Sequence, residues 1–567
     1  MKSLDPMRTE IVRSLVASVA EEMGQILRRA SLSPNIRERL DFSTAVFDRQ
    51  GELVAHAEHI PVHLGSMVAS IRLLLPRLQR ARETLIFNDP YAGGSHLPDL
   101  TLVTPVVEEG QRTPLFFVAN RAHHADIGAK HQSPLPLAEC LEDEGVVIAP
   151  TDFTRDGQLN RKVLEHILNN VKTFDEREVD LTAQLAANRR GAERMTELVA
   201  RLGRDHLCGH LGELLQRDEE AMRSFLATFP EGDFTFADHL DDDGFGSGPV
   251  RLSVTLCASG GTLRCDFSAS ADQVRGPLNT VPAVVTSAVL YVLCCLAGPR
   301  RRQASSGLLR PIEILTRPGS VLNPKPPAAV GAGNMETSQR VVDILLGALH
   351  QVLPGRIPAA SQGTMNNLAF AGHDARHKRY FTYYETLAGG TGALPDRPGS
   401  AAVHSHMTNT LNTPIEVLEN DYPLRVLRYQ RRRGSGGQGL QRGGDGLIRE
   451  FEVLQELTAT LLTDRRTTHP YGLEGGLEGQ CGVNEQLSDG YRTRLPGKVT
   501  LTLYPGERLV LATPGGGGYG EASSKSDDRG RRVDHPASDQ RGAAHQSRAG
   551  TPADRGGERR GSPSRPR

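Results

Sequence analysis

Closely spaced histidines and aspartates between positions 41 and 126 of the 567-residue chain form its clearest set of possible metal ligands. They are Asp41, His96, Asp99, His123, His124 and Asp126. Imidazole and carboxylate groups that meet in a fold can hold one divalent ion and leave a coordination position open. Such an ion lowers the pKa of a bound water molecule and polarises a carbonyl or phosphoryl oxygen. The residue types therefore indicate metal-assisted chemistry on such a group.

The spacing alone is not specific, because a His-x-x-Asp pair is often two surface residues. The predicted strands strengthen the metal interpretation. Residues 40–47 and 52–56 predict two strands joined by a turn, and Asp41 stands at the head of the first. Predicted strands at 100–107 and 115–119 place the other candidates at strand ends or in the glycine-containing loop before His96. We therefore expect strand ends to bring these side chains together.

Composition limits the classes of partner. Hydrophobic residues make up 38% and charged residues 23%, and the formal net charge is -1. This balance argues against nucleic acid or a membrane surface as the main partner. Aromatic residues make up 5% and tryptophan is absent, which argues against a surface that stacks on sugars or bases. The seven cysteines are scattered and form no CxxC pair, so neither a disulfide framework nor a thiolate zinc site is predicted.

The sequence predicts a cytoplasmic protein. The first ten residues are polar and lack the apolar segment of a secretory signal. The longest apolar stretch, 281–297, is short for a membrane span and contains Thr286, Ser287 and Tyr291.

Two other patterns could bind ligands but favour a structural interpretation. Glycines 515–518 and the turns at 434–444 could cradle a phosphate, yet no lysine or helix follows 515–518 as it does in a phosphate loop. His404 and His406 could bind a metal, but a buried, hydrogen-bonded histidine is the more common situation.

Hairpins and helices without regular βαβ units predict a multidomain α+β fold with a disordered C-terminal tail. Residues 159–228 are helical in pattern and highly charged, which is typical of a helical hairpin or of an arm that contacts another subunit. The tail is rich in Arg, Gly, Ser, Asp and Pro. The predicted segments are a metal-binding α+β region at 1–155, a charged helical segment at 156–245, an α+β region with glycine-rich loops at 246–520 and the tail at 521–567.

Several stretches together resemble the hydantoinase B/5-oxoprolinase family. Two signature stretches are Asn88-Asp89-Pro90-Tyr91-Ala92-Gly93-Gly94-Ser95-His96-Leu97-Pro98-Asp99 and Ala119-Asn120-Arg121-Ala122-His123-His124-Ala125-Asp126-Ile127-Gly128. Further matching stretches are 40–43, 59–67, 274–279, 310–312, 319–324, 384–386, 406–410, 435–437, 442–444 and 513–520. The chain departs from the family after Gly128, where it continues Ala129-Lys130-His131-Gln132, and at Ser306.

The resemblance implies roles for individual residues. It implies one divalent ion, with zinc expected first and manganese or iron as alternatives, and its ligands would be Asp41, His96, Asp99 and His123. His123 is chosen over His124 because it fits the family pattern His-x-x-Asp-x-Gly. The other implied roles are proton transfer for His124 and Asp126 and substrate binding for Glu385 and Asn409.

The resemblance also implies a partner, a separate hydantoinase A-like subunit that binds ATP. That subunit would phosphorylate the carbonyl oxygen of a hydantoin, 5-oxoproline or lactam, and the activated ring would be hydrolysed in this subunit. Because related subunits carboxylate ketones, a subunit of an acetone or acetophenone carboxylase type is an alternative. A non-catalytic scaffold that only assembles with the A subunit is another, although a complete ligand set argues against it.

Overall fold

The computed structural model describes residues 5–57, 60–130, 133–297 and 304–522. Helices pack against several sheets whose strand pairs are antiparallel, apart from one parallel pair, so the predicted α+β class is confirmed. The predicted disordered tail, 521–567, lies outside the described residues from position 523 onward.

The helices are α1 (Pro6–Ala30), α2 (Pro34–Arg37), α3 (Pro61–Leu78), α4 (Leu141–Glu144), α5 (Arg161–Leu168), α6 (Phe174–Leu202), α7 (Arg204–Leu226), α8 (Pro282–Leu296), α9 (Ser338–Val352) and α10 (Ile415–Asp421). The strands are β1 (Phe42–Asp48), β2 (Leu53–His56), β3 (Leu85–Phe87), β4 (Asp99–Val106), β5 (Phe116–His123), β6 (Thr151–Asp152), β7 (Thr154–Arg155), β8 (Gln158–Leu159), β9 (Gly232–Leu240), β10 (Val250–Ser259), β11 (Thr262–Asp266), β12 (Ile312–Leu315), β13 (Asn367–Asp374), β14 (Arg379–Glu385), β15 (Leu424–Arg432), β16 (Gly446–Val453), β17 (Leu457–Leu462), β18 (Val483–Ser488), β19 (Tyr491–Leu495), β20 (Lys498–Leu503) and β21 (Arg508–Ala512).

The first sheet has the strand order β2-β1-β5-β4-β3-β6. Strand β5 is antiparallel to both of its neighbours, so its end lies beside the starts of β1 and β4. The register pairs Phe42 with Ala122 and Asp99 with His123. One edge of this sheet therefore collects Asp41, Asp99 and His123, as the predicted strand ends indicated.

Helices cover this sheet and extend its core. Helix α1 begins after Asp5, whose carboxylate accepts a hydrogen bond from the backbone N–H of Met7, as expected for an N-cap. The predicted helical segment forms the long helices α6 and α7, which pack on α1. Apolar residues of these three helices and of β1 and β5 share one hydrophobic cluster. Within this chain, the predicted helical segment therefore forms a helical hairpin and does not project as an arm.

Helices α3 and α8 approach each other closely at Gly65. A Cβ atom at Gly65 would lie 2.6 Å from the backbone nitrogen of Ser287, so no larger residue fits. The Ser287 hydroxyl accepts a hydrogen bond from the Ser66 N–H at 2.7 Å and donates one to the Val62 carbonyl at 2.6 Å. This contact fixes the N-terminal turns of α3, which carry His63 toward the edge of the first sheet.

The other larger sheets have the orders β12-β11-β10-β9, β14-β13-β17-β20 and β15-β16-β21-β18-β19. The main hydrophobic cluster runs from Ala45 in the first sheet to Leu462 in the third, and the described residues form one compact unit. The predicted boundaries near 155 and 245 stay a prediction. No helix in the described ranges is long and apolar enough to cross a membrane.

Candidate metal centre

His96, Asp99 and His123 form a buried triad at the edge of the first sheet. Asp99 begins β4 and His123 ends β5, and the two residues are directly paired in the ladder. His96 lies three residues before Asp99 in the connecting loop. One potential ligand atom from each residue lies within 4.8 Å of the other two. The side chains are at most 4% exposed, so water does not screen their interaction.

The loop that carries His96 is held by Asn88. The Asn88 side chain donates hydrogen bonds to the carbonyls of Leu97 and Val146 and accepts one from the Ile148 N–H, at 2.7 to 2.9 Å. Gly94 is required in this loop because a Cβ atom there would lie 2.0 Å from the Asn88 carbonyl oxygen. The glycine loop noted in the sequence therefore shapes the backbone that presents His96.

Three imidazoles surround the Asp99 carboxylate. His96 Nε2 and His123 Nδ1 lie 3.0 and 3.2 Å from Asp99 Oδ1. His63 Nε2 lies 3.1 Å from Oδ2, and the Ser95 hydroxyl donates to Oδ2 at 2.8 Å. His63 is itself held by Ser43, whose Oγ lies 3.0 Å from Nδ1. His63 and Ser95 thus hold Oδ2 of Asp99 in place, and Oδ1 faces the other two triad residues, His96 and His123.

Electrostatics favour an ionised Asp99. Burial by itself raises the pKa of this carboxyl, but the charges of His96 and His63 outweigh burial and hold the pKa well below its usual value. Burial lowers the pKa of His123, so its ring is neutral and the lone pair of one ring nitrogen is available to a cation. The structure thus supplies a carboxylate and a neutral imidazole side by side.

His96 is oriented by the backbone opposite it. Its Nδ1–H donates to the Gly331 carbonyl at 3.2 Å, which leaves Nε2 to face Asp99. The Gly331 N–H in turn donates to Glu144 at 2.6 Å, and burial raises the pKa of Glu144 to about 8. Partners that orient ligating histidines in this way are typical of metal sites.

The triad fits a divalent cation. His123 Nε2 is buried and has no hydrogen-bond partner among the described residues, and the same holds for Asn334 Oδ1. Buried polar atoms are normally paired, so these orphaned atoms suggest a ligand between them. The cavity they line has a volume of about 20 Å³, enough for an ion or one water molecule. Two imidazoles and a carboxylate suit zinc, manganese or iron.

Asp41 lines the same cavity. Its backbone carbonyl accepts a hydrogen bond from the His123 N–H at 3.0 Å, which anchors it beside the triad. Leu40 has a positive φ of 58°, and buried Arg39 donates to the Tyr384 carbonyl at 2.8 Å. The close grouping of ligand atoms contains the triad without Asp41. Asp41 therefore stays a predicted fourth ligand.

The sequence matches the family described as hydantoinase B/oxoprolinase over residues 5–522. The chain belongs to this family. An uncharacterised protein of Methanocaldococcus jannaschii is 36% identical to it, and the match covers 91% of both chains. A 5-oxoprolinase of Dictyostelium discoideum is also 36% identical over 93% of this chain, which spans only 41% of that protein.

Solved structures share the fold. An ATP-dependent caprolactamase from Pseudomonas jessenii superposes with a TM-score of 0.85 at 26% identity, and the match covers 92% of each chain. An acetone carboxylase superposes with a TM-score of 0.83 over 91% of this chain and 76% of the other. Because its identity is 17%, that second likeness concerns the fold alone.

Tyr384, rather than the predicted Glu385, faces the candidate metal centre of this hydantoinase B family member. The Tyr384 ring stacks on His123 with ring centroids 4.8 Å apart. Glu385 is buried and pairs with Arg449 at 3.3 Å, and it accepts a hydrogen bond from the Tyr383 hydroxyl. Neighbouring residues of a strand point to opposite faces, which separates Glu385 from the site. Its substrate-binding role stays a prediction that these contacts do not favour.

His124 and Asp126 also point away from the triad. His124 Nε2 lies 3.0 Å from Gln184 in helix α6, and burial with the nearby Arg177 charge lowers the pKa of His124 to about 4. Asp126 accepts hydrogen bonds from the N–H groups of Lys172 and Thr173 at 2.7 and 2.8 Å, just before α6. Their predicted proton-transfer roles stay predictions, and their contacts favour structural roles.

Asn409 is exposed and lines a separate, larger pocket beside the candidate metal centre, whereas its neighbours Thr408 and Thr410 line the triad cavity.

The sequence interpretation missed His63, Ser43, Asn334 and Tyr384 as site residues. His63 and Tyr384 fall within stretches that carry the family resemblance, but nothing local shows which of their residues face inward. His406 lies 3.7 Å from Asp343 and outside the triad.

The glycine loops are structural, as the sequence favoured. The backbone N–H groups of Gly516, Gly517 and Gly518 donate to the carbonyls of Gly444, Ala360 and Leu477 at 2.8 to 2.9 Å. These donors are therefore committed to other parts of the chain and do not point into a phosphate cradle.

Proposed function

We propose that this chain is the metal-binding, hydrolytic part of an ATP-dependent cyclic amidase, which acts on a carbonyl activated by a hydantoinase A-like partner. The observation that carries the proposal is the buried triad of His96, Asp99 and His123 with its orphaned His123 nitrogen. Family membership over residues 5–522 and the likeness to a caprolactamase support this reaction class for the triad.

The need for ATP follows from the substrate class. Resonance makes the carbonyl of an unstrained cyclic amide a poor electrophile, and phosphorylation of its oxygen would remove that protection. The glycine-rich loops of this chain use their N–H groups internally, so ATP is assigned to a partner. The 5-oxoprolinase of Dictyostelium, of which this chain spans 41%, is long enough to contain such a partner in the same polypeptide.

The triad would hold the ion, with Asp41 as a fourth ligand from the same sheet edge. A bound divalent ion would acidify water and polarise the carbonyl. His63 and Ser95 keep Asp99 in place, and Tyr384 keeps the His123 ring flat against it. The buried environment strengthens each of these electrostatic contacts relative to water.

Asn334 is the best-placed group to bind the amide itself. Its Nδ2 lies 3.2 Å from His96 Nε2 and 3.5 Å from Asp99 Oδ2, and its Oδ1 is buried without a hydrogen-bond partner among the described residues. Oδ1 can accept a hydrogen bond from the ring N–H of a cyclic amide. Asn334 lies in a short π-helical turn, Gly333–Thr337, immediately before α9. Such turns are frequent at functional sites.

The decisive experiment combines the full chain with its cognate A-like subunit, ATP and a set of cyclic amides. We expect ATP hydrolysis that depends on the cyclic amide, ring opening without bicarbonate, and no reaction from either chain alone. His123→Ala should abolish ring opening. His166→Ala, which changes an exposed histidine on α5, is the matched control and should behave as wild type.

Two outcomes would contradict the proposal. Ring opening by the lone chain without ATP would remove the partner from the reaction. Turnover that requires bicarbonate and forms a keto acid from a ketone would favour the carboxylase alternative, which at present has only a fold likeness behind it.

A further inference from the structure

A second cavity of about 350 Å³ lies next to the metal centre, between β1, β2, α3 and α8. This volume falls within the range of roughly 300–1,000 Å³ that is usual for small-molecule sites. Most of its lining is apolar and includes Leu53, Ile60, Leu64, Met67 and Leu308. A cavity of this size and character suits a small organic ligand with a hydrocarbon body.

The cavity adjoins the smaller cavity that the triad lines. Ile60 lines both spaces, and Ser43 of the large cavity is hydrogen-bonded to His63, which contacts Asp99. Asn409 faces the large cavity, while the residues before and after it in the chain face the triad. A ligand in the large cavity would therefore lie beside the metal centre.

The lining residues that the structure describes carry no Asp, Glu, Lys or Arg. His56 is held as a neutral imidazole: Nδ1–H donates to the Ala57 carbonyl, and Nε2 accepts from the Ala304 N–H, both at 3.1 Å. The remaining polar side chains are the uncharged Ser43, Thr44, Tyr291, Asn409 and the two cysteines. Among these described residues, a carboxylate would find no counter-charge to offset the hydration that it loses on burial.

We propose that this cavity binds the hydrocarbon ring of a neutral cyclic amide, with the amide group directed toward the triad. This substrate class rests on the proposed function and makes it more specific. Neutral lactams should bind better than 5-oxoproline, which differs from 2-pyrrolidinone by one carboxylate. A larger ring should bind better than a smaller one, by about fourfold for each buried methylene group.

Cys295 offers a direct reporter of occupancy. It is exposed and lines the cavity on α8, so a thiol reagent can reach it. A lactam in the cavity should slow its alkylation. Cys257, which is partly exposed on β10 and outside the cavity lining, provides an internal control in the same molecule.

The experiment follows alkylation of each cysteine by N-ethylmaleimide in the full-length, zinc-loaded chain by peptide mass spectrometry. We expect caprolactam to protect Cys295 at roughly 15-fold lower concentration than 2-pyrrolidinone, which has two fewer methylenes. 5-Oxoproline should give no protection at the concentrations where 2-pyrrolidinone protects, and Cys257 should react at an unchanged rate throughout.

A pair of variants tests the cavity in a second way. Cys295→Phe should fill part of the cavity and raise the KM for caprolactam in the complex with the A-like subunit at least tenfold. Cys257→Phe, the same change at a partly exposed cysteine outside the cavity lining, should leave the KM within about twofold of wild type. Equal KM values for the two variants would overturn the assignment.

The labelling result separates this inference from the proposed function. Protection of Cys295 by caprolactam in a chain that opens no ring would support the cavity assignment and contradict the proposed reaction. Ring opening without protection by any lactam would overturn the cavity assignment alone. Protection by 5-oxoproline equal to that by 2-pyrrolidinone would overturn the preference for neutral substrates.

Discussion

The Asp99 carboxylate is the residue around which the site is organised. A buried carboxylate is unfavourable unless it is paired and hydrogen-bonded, and Asp99 meets this requirement with three imidazoles and the Ser95 hydroxyl. His63 and Ser95 occupy Oδ2, so Oδ1 is left for the two histidines of the triad. His63 therefore positions the carboxylate of Asp99, the proposed metal ligand.

Replacing His63 tests this positioning. His63→Ala should weaken metal binding by about 10–100-fold, because ligands that lose an orienting partner bind less tightly. Ser43→Ala, which removes the hydroxyl that contacts His63 from behind, should have a smaller effect. Affinity can be measured by competition with a coloured chelator. Wild-type affinity in His63→Ala would show that Asp99 needs no such support.

How far the sequence predicts the site depends on side-chain direction. Residue types and predicted strand ends gave six candidate ligands, and the family resemblance selected four of them. The structure brings three of those four together, His96, Asp99 and His123. Sequence stretches could not decide between neighbours such as Tyr384 and Glu385, because adjacent strand residues face opposite sides. Which of the two residues faces the site depends on how the rest of the chain packs against the strand, and a local sequence pattern does not show that packing.

At the level of secondary-structure elements, the site is formed where β5 ends beside the starts of β1 and β4 in the first sheet. The strands β1, β4 and β5 were predictable from local patterns within a few residues. Their pairing in the order β1-β5-β4 was not, because it depends on contacts between segments far apart in the sequence. The same pairing explains why a loop, a strand start and a strand end can supply ligands to one cavity.

Asp126 illustrates how an element is fixed beside the site. Its carboxylate accepts hydrogen bonds from Lys172 and Thr173 at the entrance to α6. Asp126→Ala should lower the free energy of unfolding by about 1–2 kcal/mol, as loss of a capping side chain does. Ring opening per folded complex should stay within about twofold of wild type.

Urea unfolding and steady-state assays together check the Asp126 prediction. Asp126→Asn, which keeps an oxygen acceptor, should lose less stability than Asp126→Ala. A large fall in ring opening with unchanged stability would instead support the proton-transfer role that the sequence suggested for Asp126.

At the scale of the whole molecule, buried ion pairs join helices to distant sheets. Arg340 of α9 pairs with Asp464 at 2.8 Å, and Lys498 of β20 pairs with the other oxygen of Asp464 at 2.9 Å. Asp343 of α9 pairs with Arg465 at 3.1 Å. All of these residues lie within the region predicted at 246–520, but α9 and its partners are far apart in the sequence. Local sequence patterns predict helices and strands, but they do not predict which residues pair over such long distances in the chain.

Stability should fall in mild acid because of His404. Burial and the nearby Arg39 charge lower the pKa of His404 to about 4, whereas an unfolded histidine titrates near 6.5. Between these values the unfolded chain binds more protons, so stability decreases as the pH falls from about 6.5 to about 4. His404→Gln should reduce the loss between pH 7.5 and pH 5 by about 2 kcal/mol.

Urea unfolding at the two pH values measures the His404 effect. His166→Gln, at an exposed histidine, should leave the pH dependence as it is in wild type. An unchanged pH dependence in His404→Gln would contradict a lowered pKa for that residue.

The most direct test of the account is the metal content of a preparation that opens a cyclic amide ring. Elemental analysis of the active complex should find about one divalent ion for each copy of this chain. His123→Ala should lose the ion and ring opening together, while His166→Ala should keep both. An active preparation without a divalent metal, or full metal content in His123→Ala, would contradict the assignment of the triad.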